Sequence, residues 1–226
     1  MANLHKHFRS TTFVIEGSIG VGKTTFINYV KENASTLFPN HEVITIAENF
    51  QDNPYLSKFY ADPKNYALIT QKWFLTNRFL AFQQVQTREL KDYSLGIKPK
   101  ITIIDRSPFA CNVFCQSMYE DGKMSKKDYD EYNDFYRELF KSFSLNMFHI
   151  FLFEAPVNIS LKRIAKRGRA MENAIFEDYL KRLKNNYKKS FLDFDLAHVH
   201  YVNSSSDNKK FYVEIINVIN SDMKAI

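Results

Sequence analysis

The chain has 226 residues, 45% hydrophobic and 15% aromatic, which suits one α/β domain with a sizeable core and excludes a disordered chain. Its net charge is +6, and the basic residues gather in two amphipathic runs at 162–169 and 181–189. Attraction of an anionic nucleotide and a solvated helix face account for both runs, so no nucleic-acid partner is expected.

In chain order, residues 1–10 read as a basic, flexible N-terminus carrying His5 and His7. A first strand at 12–16 runs into G-x-x-x-x-G-K-T at 17–24, and a helix follows at 24–37. A second strand falls at 42–47 and a long helical stretch at 63–90. The run at 101–104 is a short, doubly buried strand ending at Asp105, followed by a helix at 107–120. Residues 126–143 repeat Tyr129, Tyr132, Tyr136, Leu139 and Phe143 at helical spacing, an aromatic stripe that reads as core or dimer face. A strand at 148–153, helices at 157–166 and 175–191, a strand at 198–202 and a helix at 208–219 complete the chain. The expectation is a single domain over 1–226: five parallel strands with helices on both faces. Ligands of such sheets sit beyond the carboxyl ends of the strands.

The strand–loop–helix at 12–30 defines the ligand class. The loop glycines let backbone N–H groups wrap a phosphate chain, and the next helix adds the positive end of its dipole. Gly17, Ser18, Ile19, Gly20, Val21, Gly22, Lys23, Thr24 and Thr25 are therefore candidate ATP-binding residues. Lys23 is placed on the outer phosphates and Thr24 on Mg²⁺. The loop does not name the acceptor.

Three further clusters fall at strand ends. Glu48 follows the second strand, where a carboxylate can accept a proton from an attacking hydroxyl. The bland alternative is a surface glutamate. Asp105-Arg106-Ser107 closes the third strand; Asp105 can bind Mg²⁺ and Arg106 an acceptor oxygen or a transferring phosphoryl group, against a purely structural charge pair. Arg163, Arg167, Gly168 and Arg169 suit an Arg-rich lid over phosphates, against a basic helix terminus favoured by the dipole. Cys111 and Cys115 lie four apart on a helix; ordinary packing is the expectation, with no metal and no disulfide framework. His198 and His200 point the same way along a strand, and two ligands without a third make no site. There is neither a membrane-length apolar run nor a signal-peptide pattern, so the default compartment is cytoplasmic.

On these motifs the chain resembles the deoxyribonucleoside kinase family, which includes deoxycytidine, deoxyguanosine and deoxyadenosine kinases. The resemblance rests on IEGSIGVGKTT, on Glu48 followed by NPYLSKFYADPKNYALITQ, on DRSPFACNVF and on KRIAKRGRAMEN. It implies a P-loop NTPase fold with a lid, Mg²⁺-ATP as donor, a deoxynucleoside as acceptor and a homodimer. Glu48 matches the base that deprotonates the 5′-hydroxyl, Arg106 the arginine that steadies it, and Tyr60 with Glu172 the pair on the 3′-hydroxyl. Gln71 matches the amide that reads the nucleobase, and Arg163, Arg167 and Arg169 match lid arginines. The stretch 203–208 matches the loop around the adenine of ATP.

Two departures leave the base open. Arg78 matches an arginine that the family pairs with an aspartate, but Cys111 stands in the aspartate's place; Arg78 then requires a base carbonyl, a water or Glu120. Thr70 replaces the usual apolar neighbour of the glutamine. The reading is a salvage deoxynucleoside kinase with a weak preference for purines. Its rivals are a thymidylate-type monophosphate kinase and a silent structural subunit on the same fold.

Overall fold

The computed structural model describes residues 11–48, 50–141, 147–169, 172, 175–206 and 210–225. The expected N-terminal tail with His5 and His7, the position of Phe143, and residues 207–208 of the adenine loop lie outside the described residues. Five parallel strands form one sheet: β1 (Thr12–Gly17), β2 (Val43–Ile46), β3 (Ile101–Asp105), β4 (Phe148–Glu154) and β5 (Ala197–Asn203), in the order β2-β3-β1-β4-β5.

Alternation along each strand sends successive side chains to opposite faces and explains why both faces are apolar. Phe13, Ile15, Ile103, Phe151 and Phe153 pack under α1 (Lys23–Leu37) and α8 (Lys210–Lys224). Val14, Ile104, Ile150 and Leu152 pack under α3 (Pro63–Ser94), α4 (Ala110–Glu120) and α7 (Glu177–Phe191). A third cluster joins α2 (Leu56–Ala61), α3, α4 and α5 (Lys126–Lys141), and α6 (Val157–Arg167) follows β4.

Several expected boundaries move. The helix expected from 107 begins at Ala110, because the Ser107 backbone is tied to Glu16 and Arg106 before it takes φ 71°. The helix expected from 175 begins at Glu177, and the last helix runs on to Lys224 rather than ending at Ile219. A 3-10 turn at Phe50–Asp52 and α2 are additions; at three and six residues neither carries a full helical period. Pro63 opens α3 and Asp62 caps it, accepting from the Asn65 N–H at 3.4 Å.

The aromatic stripe of α5 turns inward. Tyr132 is fully buried, and Tyr129, Tyr136 and Leu139 pack around the same cluster, so this face is core rather than a free dimer surface. Some exposed apolar side chains lie on α3, where Ile69 and Leu80 stand about three turns apart on one side.

Candidate active site

The carboxyl ends of β1, β2 and β3 open into a cavity of about 300 Å³, a volume suited to a small organic ligand. Its wall includes Lys23, Thr24, Glu48, Gln71, Arg78 and Asp105.

The phosphate loop supplies one side. Gly17 adopts φ 133°, and a Cβ there would meet the Phe153 carbonyl at 2.3 Å; Gly20 adopts φ 78°, and its Cβ would meet the Ser160 carbonyl at 2.6 Å. Both glycines are thus required by backbone conformation and by close packing on β4 and α6. Lys23 folds back on the loop and donates to the carbonyls of Ser18 (2.7 Å) and Gly17 (3.0 Å). Burial, helped by the nearby Arg106, holds the ammonium down to about 7, although Asp105, Glu48 and Glu16 pull the other way. Phosphate oxygens would replace two neutral carbonyls with anions and restore the charge. Thr24 lines the cavity; Thr25, the next residue on α1, is exposed and does not.

The other side is a charge network. Glu48 is held by two guanidiniums: Arg78 donates to Oε1, and Arg106 Nε donates to Oε2 at 2.9 Å. Burial pushes the Glu48 carboxyl up, but Arg78 and Arg106 outweigh it and bring the pKa down to about 2. Arg106 also donates through Nη1 to the Gly17 carbonyl (2.9 Å) and to the Tyr187 hydroxyl. Behind it lies Glu16, fully buried on β1. Its Oε1 accepts from the Ser107 N–H (2.6 Å) and hydroxyl (2.7 Å), and its Oε2 accepts from Tyr187 at 3.3 Å. Burial raises the Glu16 carboxyl above its ordinary range, against the pull of Arg106. Glu16 and Tyr187 are site-forming residues that the sequence reading missed. Glu16 lies inside the phosphate-loop segment, but only the folded chain brings Tyr187 to it.

Arg78 departs from expectation. Glu120 is not its partner, since Glu120 accepts from Gln116 (3.0 Å) and Asn186 (2.8 Å). The guanidinium lies instead between Glu48 and the Cys111 sulfur, which is 3.0 Å away. Cys111 is fully buried behind Arg78 and does not itself line the cavity. Gln71 reaches the cavity wall beside Thr70 and Phe74, and it is otherwise buried.

Tyr60 and Glu172 face the same space. Glu172 is gripped by Arg167, with contacts of 3.0 Å and 2.5 Å, and by Arg169 at 3.4 Å. Burial and the Glu172 carboxylate raise the Tyr60 hydroxyl. Arg169 also lies over the Phe50 ring at 4.6 Å. Arg163 sits outside the cavity and ties the phosphate loop to the end of β5, donating to Ser204 O (2.9 Å) and Val21 O (3.4 Å). Helix α6, expected at 157–166, runs to Arg167, one residue before Gly168.

Thr24 and Asp105, the two residues expected to hold a divalent cation, both line the cavity. The Asp105 Oδ1 atom is buried without a hydrogen-bond partner, which fits a carboxylate whose natural partner is a cation. Burial raises this carboxyl, and Lys23 opposes the rise; a dication would do so more strongly.

Away from the cavity, His149 of β4 joins His198 and His200 of β5. His149 Nδ1 lies 3.0 Å from His200 Nε2, and its Nε2 lies 3.2 Å from the Asp222 carboxylate on α8. His149 was the neighbour missing from the sequence reading. Among the described residues, no group of three or more His, Cys, Asp or Glu is arranged to hold a metal ion.

A glycine-wrapped loop at the end of β1, a loop lysine, and an acid–arginine pair across the cleft define a P-loop phosphotransferase. The family model for deoxynucleoside kinases matches residues 13–224, and the chain belongs to the deoxynucleoside kinase family. It is similar to a deoxyguanosine kinase of Dictyostelium discoideum, 30% identical over 94% of this chain and 70% of that one. It is also similar to a deoxyguanosine kinase of Lactobacillus acidophilus, 28% identical over 83% of this chain and 78% of the relative. Among solved structures, a deoxyadenosine kinase from M. mycoides with products dCMP and a flexible dCDP bound shares the fold. It has a TM-score of 0.73, 24% identity, and coverage of 93% of this chain and 99% of that one. The chain is thus an ATP-dependent phosphotransferase by family.

Proposed function

We propose that the protein transfers the γ-phosphoryl group of ATP to the 5′-hydroxyl of a deoxyribonucleoside, with purines weakly preferred, and so feeds DNA-precursor salvage. The observation that carries this reading is Glu48: an ionised carboxylate at the end of β2, in the same cavity as the phosphate loop and beside Arg106. A carboxylate there suits a neutral hydroxyl and repels an acceptor that already carries a phosphate.

In this reading Glu48 takes the 5′-hydroxyl proton and Arg106 orients the attacking oxygen. Lys23 and the lid residues Arg167 and Arg169 stabilise charge on the transferring group, while Arg163 braces the loop against β5. Thr24 and Asp105 would hold Mg²⁺, which supplies charge neutralisation at the β- and γ-phosphates. Tyr60 and Glu172 hold the sugar 3′-hydroxyl, and Gln71 with Arg78 reads the base. The purine preference draws on relatives named deoxyguanosine and deoxyadenosine kinase. The protein acts as a single-domain, cytoplasmic homodimer. The exposed α3 side chains Ile69 and Leu80, rather than the buried α5 stripe, suit the dimer surface.

A competition assay with the four natural deoxynucleosides at limiting concentration tests the substrate class. Formation of 5′-monophosphates, led by a purine, supports the proposal. Pyrimidine products in excess would overturn the base preference, and an absence of all four products would overturn the activity.

A further inference from the structure

A carboxylate clamped by two guanidiniums, as Glu48 is by Arg78 and Arg106, is a poor proton acceptor. The two guanidiniums that make it so are held differently. Arg106 is anchored, since besides Glu48 it bonds the Gly17 carbonyl and the Tyr187 hydroxyl. Arg78 is not anchored in that way. Beyond Glu48 its polar contact is the Cys111 sulfur, a weak acceptor, and its Nε is buried without a partner. Burial pushes the Cys111 thiol up, so it stays neutral beside the guanidinium. Phe74 and Phe114 lie 5.2 Å and 6.0 Å from the Arg78 carbon, flanking the guanidinium with apolar rings. Arg78 also lines the cavity close in sequence to Gln71, one helical stretch of α3 away from the base-reading amide.

A buried guanidinium with an unfilled donor and a weak second acceptor gains by exchanging partners when a better acceptor arrives. We propose that Arg78 is an exchangeable latch on Glu48. A nucleobase that offers it an acceptor draws it off Glu48 Oε1, so the base is read at the moment the proton acceptor is released. Cys111 is the positioning residue of this latch: a neutral thiol leaves Arg78 to Glu48 in the ligand-free chain and gives it up to the base. The inference deepens the kinase reading and rests on it. Its kinetic signature is selectivity among bases that resides in kcat, because a poorly matched base leaves Glu48 clamped even when it is bound.

Steady-state kinetics of the full chain with the four deoxynucleosides test it. For the wild type, kcat should spread over about tenfold or more between best and worst base. In Arg78→Met the spread in kcat should collapse to within about twofold while KM rises. In Cys111→Asp a permanent carboxylate takes Arg78 from Glu48, and the spread should narrow as well; Cys111→Ser should keep it. A wild-type spread confined to KM, or a kcat spread that survives both Arg78→Met and Cys111→Asp, overturns the latch while leaving the kinase reading intact. Absence of turnover with every nucleoside overturns both. A readout free of turnover is the side-chain ¹⁵N resonance of Arg78 in the wild-type chain. Saturating deoxynucleoside without ATP should shift it, and an unmoved resonance overturns the proposal even if a variant fails to fold.

Discussion

The two halves of the cavity are built in opposite ways. The donor side is one continuous stretch, Gly17 to Thr24, whose shape follows from glycine conformation, close packing on β4 and α6, and the start of α1. The acceptor side is assembled from β1, β2, α3, β3 and α7, and it is held together by charge: Glu48 between Arg78 and Arg106, with Glu16 and Tyr187 behind. A local motif can bind phosphate wherever it occurs. The acceptor chemistry depends on residues that only the fold brings together, so that side should be the more sensitive to single polar substitutions.

The largest expected effect is on that side. Glu48→Gln keeps the size but removes the proton acceptor and one of the two oxygens that accept from Arg78 and Arg106, so turnover should fall by about 10² to 10⁴ while ATP binding is unchanged. Titration of ATP binding alongside single-turnover rates separates the two, and a near-normal rate would show that Glu48 is structural. Next comes the brace. Glu16→Ala strands the Ser107 N–H and hydroxyl in a fully buried site and loosens Arg106, so unfolding by urea should show a loss of about 3 kcal/mol. An unchanged midpoint would mean that Arg106 is held well enough by Gly17, Glu48 and Tyr187 without Glu16.

A smaller effect separates the active end of the sheet from its opposite end. Burial holds the His149 imidazole down at about 4, with His200 and His198 adding to the depression and Asp222 opposing it; His200 is lowered too. Because the folded-state pKa lies below the unfolded value near 6.5, the unfolded chain binds more protons as the pH drops. The contribution of this cluster should therefore be full above about pH 6.5 and decline down to about pH 4. Denaturant melts at several pH values in that window check this, and His149→Phe should flatten the dependence. The smallest effect belongs to the surface. Lys126 pairs with Asp130 on an exposed face of α5, and Lys126→Ala should leave the melting temperature unchanged.

What the sequence made legible follows the same division. The loop, the parallel α/β sheet and the positions of Glu48, Asp105 and Arg106 at strand ends all come from short-range pattern: an apolar run, then a polar residue, then a helix. The pairings did not. Arg78 and Glu48 lie 30 residues apart, Arg106 and Glu48 58, and Tyr187 and Glu16 171, and no periodicity encodes such contacts. The resemblance supplied a place for Arg78 but not its partner, because Cys111 removed the carboxylate that would have claimed it. The α5 stripe left a choice between core and dimer face. Helical spacing shows that a face is apolar, but only packing shows that Tyr132 turns that face toward α3 and α4.

If Glu48 selects a hydroxyl acceptor, a paired assay separates the nucleoside from its monophosphate. Deoxyguanosine and its 5′-monophosphate are offered separately with ATP and Mg²⁺, and ADP release is followed together with product identity. ADP and 5′-monophosphate should form from the nucleoside, and no diphosphate from the monophosphate. Diphosphate formation with the nucleoside left untouched would contradict it and place the chain's chemistry with monophosphate kinases.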